Sequence, residues 1–339
     1  DFFSSNGVAL KEEDHGRMFP TTDKSRTIVE TLIQRMTELN VALYTDAPVD
    51  KLLIENQLIK GVLLKDGRQL LSTSILISSG GKAMPRTGST GDGYAWAKQA
   101  DHTIKPLYPT EVPLTSNEAF IQDRTLQGLS LRDIALRVYN KKGKTVVTHQ
   151  MDMIFTHFGI SGPAVLRCSM FALQTMKRDK TTAATMSIDA LPDQSKNELL
   201  QTIQKKLKND GEKSVKNALK GLVPERYLLF FLGRLGIPES LPLKQVLPQQ
   251  IEELVSFLKD FQFDVHGSLP IEKAFVTGGG VSTKEINPKT MESKLTKGLF
   301  FSGEVIDYNG YTGGYNITGA FITGHIAGQH AAEQALTKK

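Results

Sequence analysis

Residues 298–317 carry the densest chemistry in this 339-residue chain. An apolar run of Leu299, Phe300 and Phe301 ends at Ser302 and Gly303. Glu304 and Asp307 follow, and Gly310, Gly313 and Gly314 then precede Tyr315, Asn316 and a segment that reads as a helix. Glycines let a backbone come close to a ligand, and the unbonded N–H groups of a first helical turn favour negative charge. A cofactor ring that becomes anionic on reduction suits that position. Glu304 and Asp307 are of the type that accepts hydrogen bonds from sugar or ribitol hydroxyls. A glycine-rich turn leading into a packed helix has the same spacing, so spacing alone does not separate the two readings.

Gly80 and Gly81, followed by Gly88, Gly91 and Gly93, form a second cluster after a strand-like run. It either brings backbone near a dinucleotide or simply turns the chain. The chain contains no G-x-G-x-x-G and no Walker A pattern, so no fingerprint supports a nucleotide site. The third candidate is the stretch Phe155, Thr156, His157, Phe158, Gly159, Ile160, Ser161, Gly162, Pro163. Ser161 capping a helix that starts at Pro163 accounts for its last three residues. His157, beside a glycine turn, is a candidate proton donor near neutral pH, with a structural histidine as the alternative. The stretch is not G-x-S-x-G, which disfavours a nucleophile elbow.

No metal site is expected. His325 and His330 are five apart, about 140° around a helix, and His149, Asp152 and His157 lack a ligand spacing. Cys168, among Leu166, Met170 and Phe171, reads as an inert core thiol. A single cysteine excludes an intrachain disulfide and fits a reducing compartment. Net charge is +5 and composition is ordinary for a globular protein, so obligate nucleic-acid binding is not implied. No apolar stretch approaches the ~20 residues of a membrane span. The expected location is the cytoplasm, with a small-molecule substrate, no membrane contact, and nucleic acid not the expected partner; oligomeric state is left open.

These candidates need elements to hold them. Ile28, Leu32, Ile33, Met36 and Leu39 recur at helical spacing, with Asp23 or Ser25 as the expected cap. Residues 41–44, 51–55, 58–64, 69–71 and 74–78 read as short strands, followed by the glycine loop and a helix from about Asp92. Residues 129–138, 145–148 and 151–156 read as strands, with a turn at Lys141, Lys142, Gly143 and Lys144. From residue 193 to 260 the pattern is helical, with Pro224 and Pro248 in first-turn positions and a basic run from Lys205 to Lys220 expected as a solvated face. Strand and glycine return beyond residue 263, and a closing helix begins near Asn316 with small residues Ala320, Gly324, Ala327, Gly328 and Ala331 on it. The expected organisation is residues 1–108 and 263–339 as two parts of one α/β domain, interrupted by a β-rich segment, 109–192, and a helical segment, 193–262.

Five separated motifs add a resemblance. They are Lys11 to Pro20, with Gly16, Arg17 and Phe19; Thr87 to Tyr94; Phe155 to Pro163; Val276 to Val281; and Gly303 and Glu304 through Gly313 to Asn316. Together they resemble a bacterial family of NAD(P)/FAD-dependent oxidoreductases that includes aminoacetone oxidase and a bile-acid dienone reductase. The resemblance covers essentially the whole chain. It implies a glutathione-reductase-like FAD-binding domain split by the insertion. Gly303 and Glu304 would then lie near the ribityl and pyrophosphate, Gly313, Gly314, Tyr315 and Asn316 near the flavin pyrimidine edge, and Val49, Gly80 and Gly81 toward the adenine. Family members begin with a strand, a G-x-G-x-x-G turn, a helix and an acidic residue, and this sequence starts at Asp1 downstream of all four. The expectation is therefore an N-terminally truncated chain that binds FAD poorly and is itself inactive, from a full-length enzyme that is an FAD-dependent oxidoreductase.

The reading carried forward is hydride transfer between flavin and a small organic substrate, with NAD(P)H as electron donor and His157 as catalytic proton donor. Two rivals remain: a non-catalytic module, RNA-associated through the basic helical insert, and a flavin-based redox sensor.

Overall fold

In the computed structural model, which describes residues 2–13 and 16–337, the chain divides into one unit of residues 1–108 and 277–339 and a second of residues 109–276. Asp14 and His15 of the first motif lie outside the described residues.

In the first unit a short helix, Phe2–Ser5, is followed by a hairpin, Leu10–Glu13 against Arg17–Pro20, and a helix, Ser25–Glu38. Neither expected residue caps that helix. Lys24 occupies the cap position without a side-chain bond, while Asp23 takes φ +55° and pairs with Lys11 at 2.6 Å. Next comes a meander of Val49–Glu55, Leu58–Leu64 and Gln69–Leu71. Its first turn puts both Asn56 and Gln57 at positive φ, the conformation that matches strand twist in a two-residue hairpin. Residues 41–44, expected as a strand, have no ladder partner among the described residues, and Leu43 and Tyr44 stay exposed.

At the centre of this unit, Leu299–Phe301 runs parallel to Ile75–Ile77. All three residues of 299–301 are buried, as expected of a parallel strand covered on both faces. The closing helix, Tyr315–Thr337, packs on both strands, and the helix Asp92–Gln99 supplies Tyr94 and Ala97 to the same core. His102 closes one side of it. Its Nε2 lies 2.7 Å from Ser293 Oγ and its Nδ1 3.4 Å from Glu285, and its ring meets the edge of Phe301. Burial pushes the His102 imidazole below the ordinary histidine value despite the neighbouring carboxylate, so it is neutral at pH 7.

The second unit is built on a seven-stranded antiparallel sheet in the order Phe261–Val265, Ala184–Asp189, Ser130–Tyr139, Thr145–Phe155, Gly159–Ser161, Leu114–Thr115, Gly267–Ser268. Residues 145–155 form one strand with two register shifts rather than two strands. The helix Pro163–Asp179 packs against this sheet. Helices Lys196–Asp210, Val215–Ala218, Glu225–Arg234 and Pro248–Lys259 follow. Pro248 is in a first turn as expected, but Pro224 sits one residue earlier, at the cap.

Two boundaries differ from expectation. Residues 263–276 belong to the second unit, because the alternating apolar positions Phe261, Phe263 and Val265 pair with Ala184–Asp189 and the Gly267–Ser268 strand pairs with Leu114–Thr115. The first unit resumes only at Thr277. The β and helical parts of the insertion also share one core: Phe120 and Phe155 from the β part, Tyr227 and Phe231 from the helical part, and Phe261 lie in a single buried cluster. The basic run in the helical part is laced by carboxylates, with Lys213 on Asp210 at 2.9 Å and Lys216 on Glu225 at 3.0 Å. No helix among the described residues is long and apolar enough to cross a membrane.

Candidate functional site

The strand Leu299–Phe301 delivers the chain to a tight helical turn, Gly303–Val305. Gly303 has φ +71°, a conformation that other residues adopt only with strain. Its N–H donates to Thr323 Oγ1 at 3.0 Å, which ties the turn to the closing helix. Glu304, half-buried, then reaches back: its Oε1 accepts the N–H of Thr277 at 2.8 Å. Thr277 is fully buried, and its own Oγ1 accepts the N–H groups of Lys82 at 2.8 Å and Ala83 at 2.9 Å. Segments 195 residues apart therefore meet on one hydroxyl.

Gly81 stands in the middle of this junction. A Cβ there would collide with Thr277 Oγ1 and Glu304 Oε1, so close packing of protein on protein is a sufficient reason for that glycine. Gly80, at φ +74°, is 2.7 Å from Ser89 Oγ at its would-be Cβ. Gly93, in the first turn of the helix Asp92–Gln99, is likewise filled against Ser79 Oγ and 3.0 Å from Ile77.

Two polar atoms beside the junction are buried and have no hydrogen-bond partner among the described residues: Ser79 Oγ and the Tyr94 hydroxyl. Burial, reinforced by the charge of Glu304, pushes the Tyr94 phenol well above the ordinary tyrosine range, so it stays protonated and is a donor. Buried polar atoms almost always have partners, and an acceptor-rich ligand set against Ser79, Tyr94 and Glu304 would provide them. A polyhydroxylated chain carrying phosphates, as in a flavin dinucleotide, has that character. The residues present fit such a group.

The other expected cofactor residues divide. Gly313 and Gly314 both have positive φ, and a Cβ on Gly314 would meet nothing within 4 Å, so the backbone at the start of the closing helix faces open space. Tyr315 is exposed. Asn316 closes the loop on itself: its Oδ1 accepts the Gly310 N–H at 2.8 Å and its Nδ2 donates to the Gly310 carbonyl at 3.2 Å. Asp307 is half-buried, its N–H held by the Val281 carbonyl at 2.8 Å. Val49 pairs with Leu64 in the meander, and the carbonyl of its neighbour Asp50 accepts the Trp96 Nε1–H at 3.2 Å.

His157 belongs to the second unit. It is exposed on the turn between Thr145–Phe155 and Gly159–Ser161, its ring against the edge of Phe158. Thr156 shapes that turn by accepting the Phe158 and Gly159 N–H groups on its hydroxyl, which leaves the imidazole to solvent. Ser161 does not cap the following helix, because it is paired with Ile154 in the sheet. Gly162 takes the cap position at φ +99°, and a Cβ there would lie 2.9 Å from Met153 Cα.

Thr277, Ser79, Tyr94 and Thr323 were not singled out from the sequence. Thr277 immediately precedes three glycines, and Tyr94 ends the motif that begins at Thr87. Those two positions were the available signals.

A family model described as the HI0933-like protein Rossmann domain matches residues 1–330. Among curated proteins, the 3-dehydro-bile acid delta(4,6)-reductase of Clostridium scindens is 28% identical over 336 residues, covering 98% of this chain and 80% of that protein. The ribosomal RNA dihydrouridine synthase of Haemophilus influenzae is 28% identical over 339 residues, with the same coverage of 98% and 80%. Among solved structures, the open conformation of a flavocytochrome c3 fumarate reductase aligns with a TM-score of 0.46 at 17% identity, over 99% of this chain and 62% of that one. The chain thus spans less than two thirds of that structure's length.

Proposed function

The chain belongs to the HI0933-like Rossmann family, and from that premise we propose that it serves an FAD-dependent oxidoreductase that passes a hydride between flavin and a small organic substrate, with NAD(P)H as donor. The observation that carries this reading is the junction at Thr277, where the buried, unpartnered Ser79 Oγ and Tyr94 hydroxyl lie beside the Glu304 carboxylate. One relative is named a delta(4,6)-reductase and another a dihydrouridine synthase. Both words denote hydrogen added to a substrate, which supports reduction as the direction.

The residues proposed to hold FAD are Gly80, Gly81, Gly303, Glu304, Asp307, Gly313, Gly314, Tyr315 and Asn316, with Val49 toward the adenine. Bound FAD would supply hydride exchange at its N5. Glu304 keeps its second carboxylate oxygen for a ligand hydroxyl while Oε1 holds the Thr277 N–H. Ser79 and Tyr94 provide neighbouring polar contacts, and Tyr94 does so as a proton-bearing donor. The first turn of the closing helix offers its N–H groups to negative charge that develops on reduction. His157 is proposed to hand a proton to the reduced substrate.

The test is spectroscopic. With FAD in excess and oxygen removed, NADPH or NADH is expected to bleach the flavin, and a substrate with a conjugated double bond is expected to restore its colour. His157→Ala is expected to slow that second step roughly a hundredfold, the lower end of general acid–base contributions, with flavin content unchanged. Unchanged turnover removes His157 from the reaction. Failure of both nucleotides to bleach the flavin overturns the donor assignment.

A further inference from the structure

The hairpin turn that joins Ser130–Tyr139 to Thr145–Phe155 and the C-terminal end of the helix Pro163–Asp179 border a solvent-open cavity of 340 Å³ in the second unit, with Lys141, Lys142, Lys144 and Arg178 all exposed. Its lining is Asn140, Lys141, Lys142, Lys144, Arg178 and Asp179, four cations and one carboxylate. The volume falls at the small end of ligand cavities, which run from about 300 to 1,000 Å³. It suits a compact anion.

The frame of the cavity is fixed by hydrogen bonds. Asn140 Oδ1 accepts the N–H groups of Lys142 at 2.9 Å and Lys144 at 3.0 Å, and the Asn140 N–H donates to the Lys144 carbonyl at 3.0 Å. Gly143 provides the positive φ, +72°, that this turn requires. Asp179 then ties turn to helix: its Oδ2 accepts the Lys141 N–H at 3.0 Å, and its Oδ1 accepts Arg178 Nε–H at 2.9 Å.

This leaves the charge unbalanced. The one carboxylate of the lining is engaged by Arg178 and by the turn's backbone. Among the described residues, no carboxylate lies within ion-pair distance of the Lys141, Lys142 or Lys144 ammonium groups. In the helical part Lys213, Lys216 and Lys244 sit on carboxylates, while Lys205, Lys206, Lys208 and Lys220 have none among the described residues; what sets the turn apart is that three such lysines share one hollow. Like charges held close together repel, and a concave wall focuses their field on whatever enters. The turn's own N–H groups at Lys141, Lys142 and Lys144 are engaged within the protein, so a ligand would be gripped by ammonium and guanidinium groups. That is the chemistry that holds phosphate oxygens.

We propose that this cavity is a phosphate-binding site, filled either by the diphosphate of a nucleotide or by the backbone of an RNA strand. The proposal does not rest on the flavin reading, since every residue it uses lies in the second unit.

Two probes separate the sources: inorganic pyrophosphate, followed by calorimetry, and a fluorescent twelve-residue oligouridylate, followed by anisotropy. Lys142→Glu with Lys144→Glu is expected to weaken whichever probe binds at least tenfold, and Lys142→Gln with Lys144→Gln to weaken it less, with the thermal melting of both variants unchanged. For RNA, with Arg178 held by Asp179, the three unpaired lysines on a single strand predict a loss of about 18-fold between 50 and 200 mM salt, from a slope of roughly −0.7 per contact. The glutamine double variant, with one contact left, would lose only about threefold over the same range. Pyrophosphate binding alone assigns the site to a nucleotide, and oligouridylate binding with that salt dependence assigns it to RNA. If neither probe binds the wild-type chain, or the charge-reversed variant binds equally well, the proposal is overturned.

Discussion

Thr277→Val is expected to destabilise the first unit by about 2–4 kcal/mol and to weaken FAD binding at least tenfold. Valine keeps the shape of threonine and removes only the hydroxyl, so the effect isolates two hydrogen bonds. The Lys82 and Ala83 N–H groups both donate to that oxygen, and Ala83 is buried. Leaving a buried donor unpaired costs roughly 1–3 kcal/mol per group, with the less buried Lys82 at the lower end. The chain has a single tryptophan, Trp96, and it lies in this unit. Its fluorescence in a urea titration reads the change directly. Thr277→Ser is expected to recover most of the loss, because it restores the acceptor. A shift below about 0.5 kcal/mol, the usual range for substitutions away from such features, would mean that the loop at Lys82 is not held by Thr277.

The second large effect is expected from Phe231→Ala, at about 3–5 kcal/mol. Phe231 is fully buried, stacks on Phe257 with centroids 5.2 Å apart, and meets the edge of Phe261 at 5.1 Å. Phe261 is a sheet residue and Phe231 a helix residue, so the cavity opens at the seam between the two parts of the insertion. One shared core predicts that sheet and helix signals of the second unit shift together in circular dichroism. Two separate transitions, with only the helical part weakened, would contradict the single core.

Much of this arrangement was legible in the sequence where one local rule decided it. The helical stripe from Ile28 to Leu39 and the turn at Lys141, Lys142, Gly143 and Lys144 are each set by local spacing and composition, and both form. What the pattern could not supply was partnership. Residues 41–44 have strand composition but no ladder partner among the described residues, and residues 263–276 read as part of the first unit because a strand's own sequence does not specify which sheet it joins. Ser161 has the composition of a helix cap, yet the ladder bond to Ile154 takes precedence.

The site divides along the same line. Glycine and carboxylate spacing pointed to Gly81, Gly303 and Glu304, and all three lie at the junction. Thr277 was invisible because its role depends on partners 195 residues away. The resemblance implies that Asn316 lies near the flavin pyrimidine edge, while in the folded chain it bonds the Gly310 backbone from both ends of its side chain. Lys141 to Lys144 read in the sequence simply as a turn, and only the fold sets Arg178 and Asp179 against it.

The Gly80–Gly81 loop and the Gly303–Glu304 turn, joined through Thr277, are proposed to form a cradle for FAD. Amide hydrogen exchange, with and without millimolar FAD so that weak binding still saturates, tests it most directly. Slowed exchange confined to residues 79–83 and 303–316 is the predicted result. Exchange at those residues that is the same with and without FAD would contradict the account.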